Sequence, residues 1–579
     1  MVMSKSWSQC FSALVLPRML ALGLLVSTAA CSGVPATAAN SLSEDRVGTP
    51  LKSESISGRY LAGRFARYLG DAQAAAQYYR EALADDRNND VLRGRTFRLL
   101  LSAGELDEAL RLARNVRTND REEGLAPTLV VIEHVRQRDL ASANTASADI
   151  PSTGLNATLR PVIRAWVKAG LRQGDDAIKE LDALNRFPQI RSFQQFHLAL
   201  IQDFLGRDEA AEATYKDLLS QRAARTSRAV QAYAAFLARL GRRGEANRAI
   251  EEMLPDDSEG AAGQYAREIL ARQDPAQRLV GSTAAGLAEA FYGAARGVLQ
   301  QRASDQAIVY LYFALFLQPD FDIARTVLGT IQEGERRWEE ANKVYAKVGR
   351  GSALGWNARI RIAVNLSRLE KTDEGLTMLR AMADERRDRT DALVTMGELL
   401  RGQQKWDDAA AVYTEALGRL QAVDEDEWTI FYSRGIAHER AKKWDSAEKD
   451  FLRALELSPD QPLVLNYLGY SWVDQGLHLD RARGMIEKAV ELRPRDGYII
   501  DSLGWVLYRL GDYKGAVVQL ERAVALRSDD PVINDHLGDA YWKVGRRTEA
   551  RFQWERALLF KPESDVVESI RVKLKDGLN

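Results

Sequence analysis

The sequence predicts an all-α fold, a superhelical solenoid built from antiparallel helix pairs. Two observations in residues 428–562 carry this prediction. Glycines recur there at steps of 34, 35 and 34 residues, at positions 435, 469, 504 and 538. After each glycine one alanine follows at twelve or thirteen residues and another seven residues later, at 447 and 454, 482 and 489, 516 and 523, and 550 and 557. Such a repeat indicates an array whose units pack only on their neighbours.

A period of 34 residues with small residues at fixed places is the signature of tetratricopeptide repeats (TPRs). Pro459, Pro494 and Pro562 close three of the four units. Each unit is expected to form two helices of roughly 14 residues joined by a short turn. A glycine inside a helix costs about 0.5–1 kcal/mol relative to alanine. Four glycines at one register therefore indicate places where the two helix backbones must approach closely.

Charge and composition argue against several classes of function. The chain has 80 Lys+Arg and 81 Asp+Glu, a net charge of −1, whereas a nucleic-acid-binding protein usually carries a basic excess. Cys10 and Cys31 are the only cysteines, so neither a disulfide framework nor a cysteine-based metal site is expected. The five histidines are scattered, and the sequence has no Gly-Lys phosphate loop and no Gly-x-Ser-x-Gly motif. We expect no catalytic residue, no metal, no cofactor and no small-molecule substrate, and hence no enzyme.

The chain divides into five predicted parts. Residues 1–30 resemble an export signal of the lipoprotein type, and residues 31–55, rich in Ser, Ala, Thr, Gly and Pro, form a flexible tether. A degenerate N-terminal TPR-like array occupies 56–281, a C-terminal TPR array 282–564, and a capping helix 565–579. The period slips between 255 and 282, where we expect a joint, either a kink or a hinge.

The N-terminal motif predicts where the protein resides. Thr28-Ala29-Ala30-Cys31 resembles a bacterial lipobox, which makes Cys31 the site of lipid attachment. Ser32 after it resembles the signal for sorting to the outer membrane. The protein is therefore expected to be an outer-membrane lipoprotein that faces the periplasm and contacts the membrane through its N-terminal lipid. The alternative is ordinary cleavage after Ala38, which would release a soluble periplasmic protein.

The inner face of the C-terminal first helices is the candidate site for a protein partner. Positions 5, 9 and 12 of each unit lie on one helical face, and in a TPR superhelix that face lines the groove. The predicted groove residues are Tyr432, Asn466, Tyr470, Asp501, Trp505, Tyr508, Asp535, Asp539 and Trp542. A row of Asn and Asp beside a row of aromatics suits an extended peptide. The alternative is that the aromatics pack against the next repeat and the acids pair locally.

Three runs carry a resemblance to a known family: Leu465-Asn466-Tyr467-Leu468-Gly469-Tyr470-Ser471-Trp472, Asp501-Ser502-Leu503-Gly504-Trp505 and Asp535-His536-Leu537-Gly538-Asp539. They resemble the TPR lipoproteins of Gram-negative, mainly proteobacterial, envelopes. One branch of these is similar to the outer-membrane lipoprotein adaptor of a periplasmic carboxyl-terminal processing protease.

That resemblance implies a non-enzymatic scaffold that presents substrates to such a protease or anchors it. Two alternatives stay open. One is an assembly or secretion factor for envelope polymers or outer-membrane proteins. The other is an active site in the degenerate N-terminal half.

Overall fold

The computed structural model describes residues 55–115, 124–254, 266–267, 270–271, 278–562 and 564–578. Within these residues all regular structure is helical, in 29 α-helices and five short 3₁₀ turns. They fall into two compact units, divided between Asn365 and Leu366. The predicted all-α solenoid of antiparallel helix pairs is confirmed.

The N-terminal unit contains the first helices of the chain. They are α1 Ile56–Tyr68, α2 Ala72–Asp85, α3 Asp90–Ala103, α4 Leu106–Ala113, α5 Leu125–Arg136, α6 Leu140–Ala146, α7 Asn156–Gly170, α8 Gly174–Asp182, α9 Arg191–Phe204, α10 Asp208–Ser220, α11 Ser227–Arg239, α12 Arg243–Met253, α13 Thr283–Gln300, α14 Ser304–Leu317, α15 Asp322–Gly334, α16 Trp338–Tyr345 and α17 Gly355–Arg368, the last ending just past the division.

The C-terminal unit continues the same pattern to the end of the described chain. Its helices are α18 Thr372–Glu385, α19 Asp391–Gly402, α20 Trp406–Arg419, α21 Trp428–Arg440, α22 Trp444–Leu457, α23 Pro462–Gln475, α24 Leu479–Leu492, α25 Gly497–Arg509, α26 Tyr513–Leu526, α27 Pro531–Lys543, α28 Arg547–Leu559 and α29 Ser564–Asp576. The predicted capping helix at 565–579 corresponds to α29, whose Ile570 is fully buried.

A left-handed residue in the turn between the two helices of each pair marks the repeat. Its φ lies between 59° and 86° at Gly70, Gly104, Arg138, Arg172, Gly206, Gly241, Arg302, Arg336, Glu370, Gln404, Lys442, Gly476, Gly511 and Gly545. The step is 34 or 35 residues throughout, except across the predicted joint and from Gln404 to Lys442, where it is 38. The degenerate N-terminal repeats therefore keep the same period as the regular C-terminal ones.

The regular spacing of the glycines follows from packing inside each repeat. The close neighbour is mostly a side chain of the second helix, whereas the sequence suggested a close approach of the two backbones. A Cβ atom on Gly397 would lie 2.6 Å from the Tyr413 ring, and one on Gly435 would lie 2.7 Å from the Phe451 ring. The space over these glycines is thus filled by a large side chain of the second helix. At Gly469 the second backbone is also close, because the added Cβ would lie 3.1 Å from the carbonyl oxygen of Ala482.

Helices α13 and α14 pack against the first helices of the N-terminal repeats. Helix α13 contacts α5, α7 and α9, and α14 contacts α3 and α5. A Cβ on Gly286 would overlap the Trp166 ring, and Arg228 forms a buried ion pair with Glu289, whose Oε2 lies 3.1 Å from Nε. The inner face of the N-terminal array is therefore covered by its own chain along α3 to α9.

The two compact units divide later in the chain than the predicted repeat boundary at 281/282, because α13 and α14 pack against the N-terminal repeats and α15 packs on α14. That boundary stays a prediction, and parts of the predicted joint lie outside the described residues. The predicted export signal, Cys31 and nearly all of the tether also lie outside them. No helix in the described part of the chain is long and apolar enough to cross a membrane.

Candidate partner-binding groove

The nine predicted groove residues lie on α21, α23, α25 and α27, the first helices of four successive repeats. Tyr432, Asn466 and Asp501 have no exposed surface, and we call them the floor residues. Asp539 is only 5 % exposed. The other five are partly exposed: Tyr470, Trp505, Tyr508, Asp535 and Trp542. The predicted groove thus has a buried floor beneath a partly exposed edge.

The floor residue Asp501 is paired with a histidine of the next repeat. Nδ1 of His536 donates to the Asp501 carboxylate, at 3.0 and 3.1 Å from its two oxygens. The Trp505 ring stacks on His536 at 4.2 Å between centroids, and on Tyr508 at 4.9 Å. Burial disfavours the imidazolium, but the nearby carboxylates, Asp501 above all, outweigh it and raise the pKa of His536. Asp501 therefore forms a buried pair with a residue of the next repeat.

Two further groove residues, Asp535 and Asp539, are engaged by the capping helix α29. Nζ of Lys573 lies 2.8 Å from an oxygen of Asp535 and 2.8 Å from one of Asp539. The indole Nε1 of Trp554 donates to Asp539 at 2.9 Å. Burial raises the pKa of Asp539 to about 6, although Lys573 acts in the opposite direction. These acids pair locally, which is the alternative that the sequence left open.

Trp542 closes the same end of the groove. Its Nε1 donates to the carbonyl oxygen of Leu578 at 2.8 Å, and its ring packs on Trp554 with centroids 5.5 Å apart. The inner face of the last repeat is therefore covered by the C-terminal segment. Asp539 is thereby buried, and Asp535 and Trp542 are only partly accessible to a partner.

Tyr432 belongs to an aromatic cluster between repeats. Its ring centroid lies 6.0 Å from that of Trp428, 6.1 Å from Phe451 and 5.9 Å from Tyr467. Burial raises the pKa of its phenol far above the usual range. With no exposed surface, Tyr432 contributes packing to this unit.

Asn466 is the floor residue whose side-chain amide is unsatisfied. Among the described residues, neither Oδ1 nor Nδ2 of Asn466 has a hydrogen-bond partner. Asn534, which is equally buried, donates from Nδ2 to the carbonyl oxygen of Asp530 at 2.6 Å. A buried polar group without a partner costs about 1–3 kcal/mol. Among the described residues, Tyr432 also has an unsatisfied buried atom, its phenol oxygen, but Asn466 is the floor residue with both an unused donor and an unused acceptor of an amide.

The edge above Asn466 is acidic and aromatic. Burial raises the pKa of Tyr470 well above its usual range, and the charges of Asp501 and Asp474 add to the effect. Tyr467 donates from its phenol to Glu439 at 3.0 Å. Burial also raises the pKa of Glu439, against the opposing charge of Arg440. A partner group at this edge would thus meet carboxylates and ring edges, together with two arginines that are paired with those carboxylates, Arg440 with Glu439 and Arg509 with Asp474.

Sequence reasoning missed three residues of this face. Glu398 and Arg401 lie on α19, at positions 9 and 12 of the repeat unit that begins at Thr390. This is the register that selected the other groove residues, and counting from Gly397 would have found them. Burial raises the pKa of Glu398 to about 7, while Arg401 acts to lower it. Lys573 could not have been found in this way, because its position depends on how α29 folds back.

Comparison with known proteins agrees with the repeat architecture. Three family profiles match: "Tetratricopeptide repeat" at residues 394–462 and again at 66–126, and "TPR repeat" at 504–545. None of these three describes a catalytic domain. The helix pairs of the structure and these repeat profiles together define an all-α TPR solenoid, a class of protein that acts as a scaffold for protein–protein interaction.

Among curated proteins, the chain is similar to the TPR repeat-containing protein PA4667 of Pseudomonas aeruginosa. The two are 29 % identical over 191 residues, which is 33 % of this chain and 32 % of the relative. The match thus spans about a third of the relative's length.

Solved structures share the architecture at low identity. The APC/C hetero-tetramer Cut9-Hcn1 aligns with a TM-score of 0.39 at 13 % identity, over 91 % of this chain and 97 % of that one. YrrB, described as a TPR protein with an unusual peptide-binding site, aligns at 0.27 and 19 % identity, over 33 % and 97 %. TTC0263 of Thermus thermophilus aligns at 0.28 and 20 %, over 33 % and 98 %. At these scores the likenesses carry no argument about partners.

Proposed function

We propose that the protein is a non-enzymatic scaffold of the bacterial envelope that holds an extended segment of a partner protein on the inner face of its C-terminal repeats. In this function it presents substrates to a periplasmic carboxyl-terminal processing protease or anchors that protease. The protein resides at the outer membrane and faces the periplasm, attached through a lipid on Cys31.

The unsatisfied amide of Asn466 is the observation that carries the groove part of the proposal. An amide can donate to and accept from the backbone of an extended peptide at the same time. Because Asn466 has no exposed surface, the side chains that cover it must move when the partner binds. The partly exposed rings of Tyr470, Trp505 and Tyr508 offer broad contact area beside it.

The envelope part of the proposal rests on the sequence. The lipobox-like motif at Cys31 supports export and lipid attachment, and the runs around Asn466 and Asp501 support the likeness to protease adaptors. Two binding faces on one chain would raise the effective concentration of a substrate at its protease without any chemistry by the scaffold.

Cross-linked capture from envelope fractions, followed by mass spectrometry, tests the proposal. The wild-type chain is compared with Asn466→Leu, which removes the amide and keeps a similar volume. We expect wild type to retain a periplasmic protease together with its substrates, and the variant to lose one of these two groups of proteins. Asn534→Leu serves as the matched control, because Asn534 is equally buried but its Nδ2 donates within the fold, so that only its Oδ1 lacks a partner among the described residues.

The possible results separate the competing functions. Capture of export or polymer-assembly machinery without a protease would replace the adaptor function by the assembly function. Equal capture by wild type and Asn466→Leu would show that this groove is not the binding face.

A further inference from the structure

A cavity of about 940 Å³ lies inside the N-terminal unit, away from every site that the sequence indicated. It lies between the first repeats, including α1 and α3, and the start of α14. Its charged lining consists of five arginines and one aspartate: Arg64, Arg67, Arg95, Arg98, Arg337 and Asp305. The cavity therefore concentrates positive charge in a chain whose net charge is −1.

Arg64 and Arg67 are the arginines of this cavity that are least engaged by other residues of the fold. Both are exposed on α1, three residues apart and thus on one helical face. Within the described residues the ion pairs of α1 are formed by Arg59, which contacts Glu81 and Asp85. Among the residues that the structure describes, no carboxylate forms an ion pair with Arg64 or Arg67.

The remaining arginines are held in place by other contacts. Arg95 donates to the phenol oxygen of Tyr60, which carries no charge, and Arg337 pairs with Glu335.

Arg64 and Arg67 act to lower the pKa of the buried Tyr79 in the cavity wall. Burial raises the pKa of that phenol, and the two arginines work against the increase. Their positive field thus reaches into the cavity.

The volume of the cavity and the apolar residues in its lining indicate which class of ligand it suits. Leu99, Ile308 and Val309 lie beside the arginines. Binding cavities for organic ligands typically measure about 300–1,000 Å³, so this one is much larger than a single inorganic anion needs. Arginine forms paired hydrogen bonds with carboxylates, and the aliphatic wall suits apolar side chains.

We propose that this cavity binds an acidic peptide segment of a protein partner, with its carboxylates on Arg64 and Arg67 and its apolar side chains on the aliphatic wall. A flat anionic bilayer fits less well, because the charged groups line a recess between two layers of helices. The site is separate from the C-terminal groove and does not depend on it.

Fluorescence anisotropy of the full chain in mild detergent tests this inference. The probe is a short dye-labelled peptide that alternates Glu and Leu, and the comparison peptide has Gln in place of every Glu. We expect the acidic peptide to bind at least about tenfold more tightly than the Gln peptide, with affinity that falls as salt increases.

The double variant Arg64→Glu/Arg67→Glu should weaken binding of the acidic peptide at least about tenfold, because it replaces two attractive charges by repulsive ones. The control is Arg87→Glu/Arg111→Glu, which changes the net charge equally at exposed arginines outside the cavity lining. The control should stay within about twofold of wild type. Circular dichroism checks that both variants remain helical.

Three results would overturn the inference: no preference for the acidic peptide, an equal loss in both double variants, or binding of phosphatidylglycerol vesicles or inorganic phosphate without binding of the peptide. None of them bears on Asn466, so failure here is distinguishable from failure of the C-terminal groove.

Discussion

Nδ1 of His536 lies 3.0 Å from a carboxylate oxygen of Asp501, and the two residues belong to first helices of successive repeats. Both side chains are buried beneath Trp505, whose ring stacks on the imidazole. The pair therefore connects two successive repeats through an electrostatic contact. The sequence alone had suggested that Asp501 faces a partner protein. Replacing Asp501 by alanine would remove a structural contact together with any binding contact.

This pair makes stability depend on pH. The pKa of His536 in the folded state is raised above the unfolded value of 6.5, so its contribution to stability is fully present below that pH and is lost as pH rises through the folded-state pKa. We expect the difference in free energy of unfolding between wild type and His536→Asn to be largest under acidic conditions and to shrink as the pH increases. Urea unfolding at a series of pH values measures it. A difference that grows with pH would contradict the assignment.

Asn466→Leu should stabilise the protein while it weakens partner binding. Removing an unsatisfied buried amide without opening a cavity should raise the free energy of unfolding by about 1 kcal/mol. Asn534→Leu should instead lower it by about 1 kcal/mol, because the bonds that Nδ2 donates to the carbonyl oxygens of Ser528 and Asp530 are lost, although the Oδ1 of Asn534 has no partner among the described residues. Chemical denaturation of the three proteins gives these values. If both variants are destabilised alike, Asn466 has a partner that the fold supplies.

Lys573→Met should destabilise the C-terminal repeats. It leaves the carboxylates of Asp535 and Asp539 without their shared cation, and breaking a buried pair costs about 3–5 kcal/mol. Since the pKa of Asp539 is already raised to about 6, the variant should regain stability as the pH falls and that carboxylate takes up a proton. The exposed Lys575→Met is the control and should change little. A pH-independent loss would argue against the ionic origin.

Lys442→Gly should stabilise its repeat. Lys442 has φ of 63° in the turn between α21 and α22, a conformation that costs a side-chain-bearing residue about 1–2 kcal/mol and glycine little. After the greater entropy of glycine in the unfolded chain is included, we expect a gain of about 0.5–1 kcal/mol. Lys449→Gly, at an exposed position inside α22, should lose about 1 kcal/mol. Thermal unfolding of both variants shows whether their effects have opposite signs.

Much of the architecture could be predicted because the repeat pattern reflects contacts within one repeat and between neighbouring repeats. The spacing of Gly435, Gly469, Gly504 and Gly538 fixes the register of helix pairs, and the structure repeats it in the spacing of the left-handed turns. The candidate site was less predictable. The register assigned Asn466 and Asp501 to equivalent positions, but it could not tell which of them the next repeat would satisfy.

The sequence by itself determined the helix pairs, their period and the face that each first helix turns inward, because these depend on contacts within one repeat or between neighbours. Only the tertiary structure decided which parts of that face stay open. Lys573 reaches Asp535 and Asp539 from the capping helix, and Gly286 packs on Trp166 to bring α13 against the N-terminal first helices. These contacts join residues far apart in the chain, where no short period relates one partner to the other.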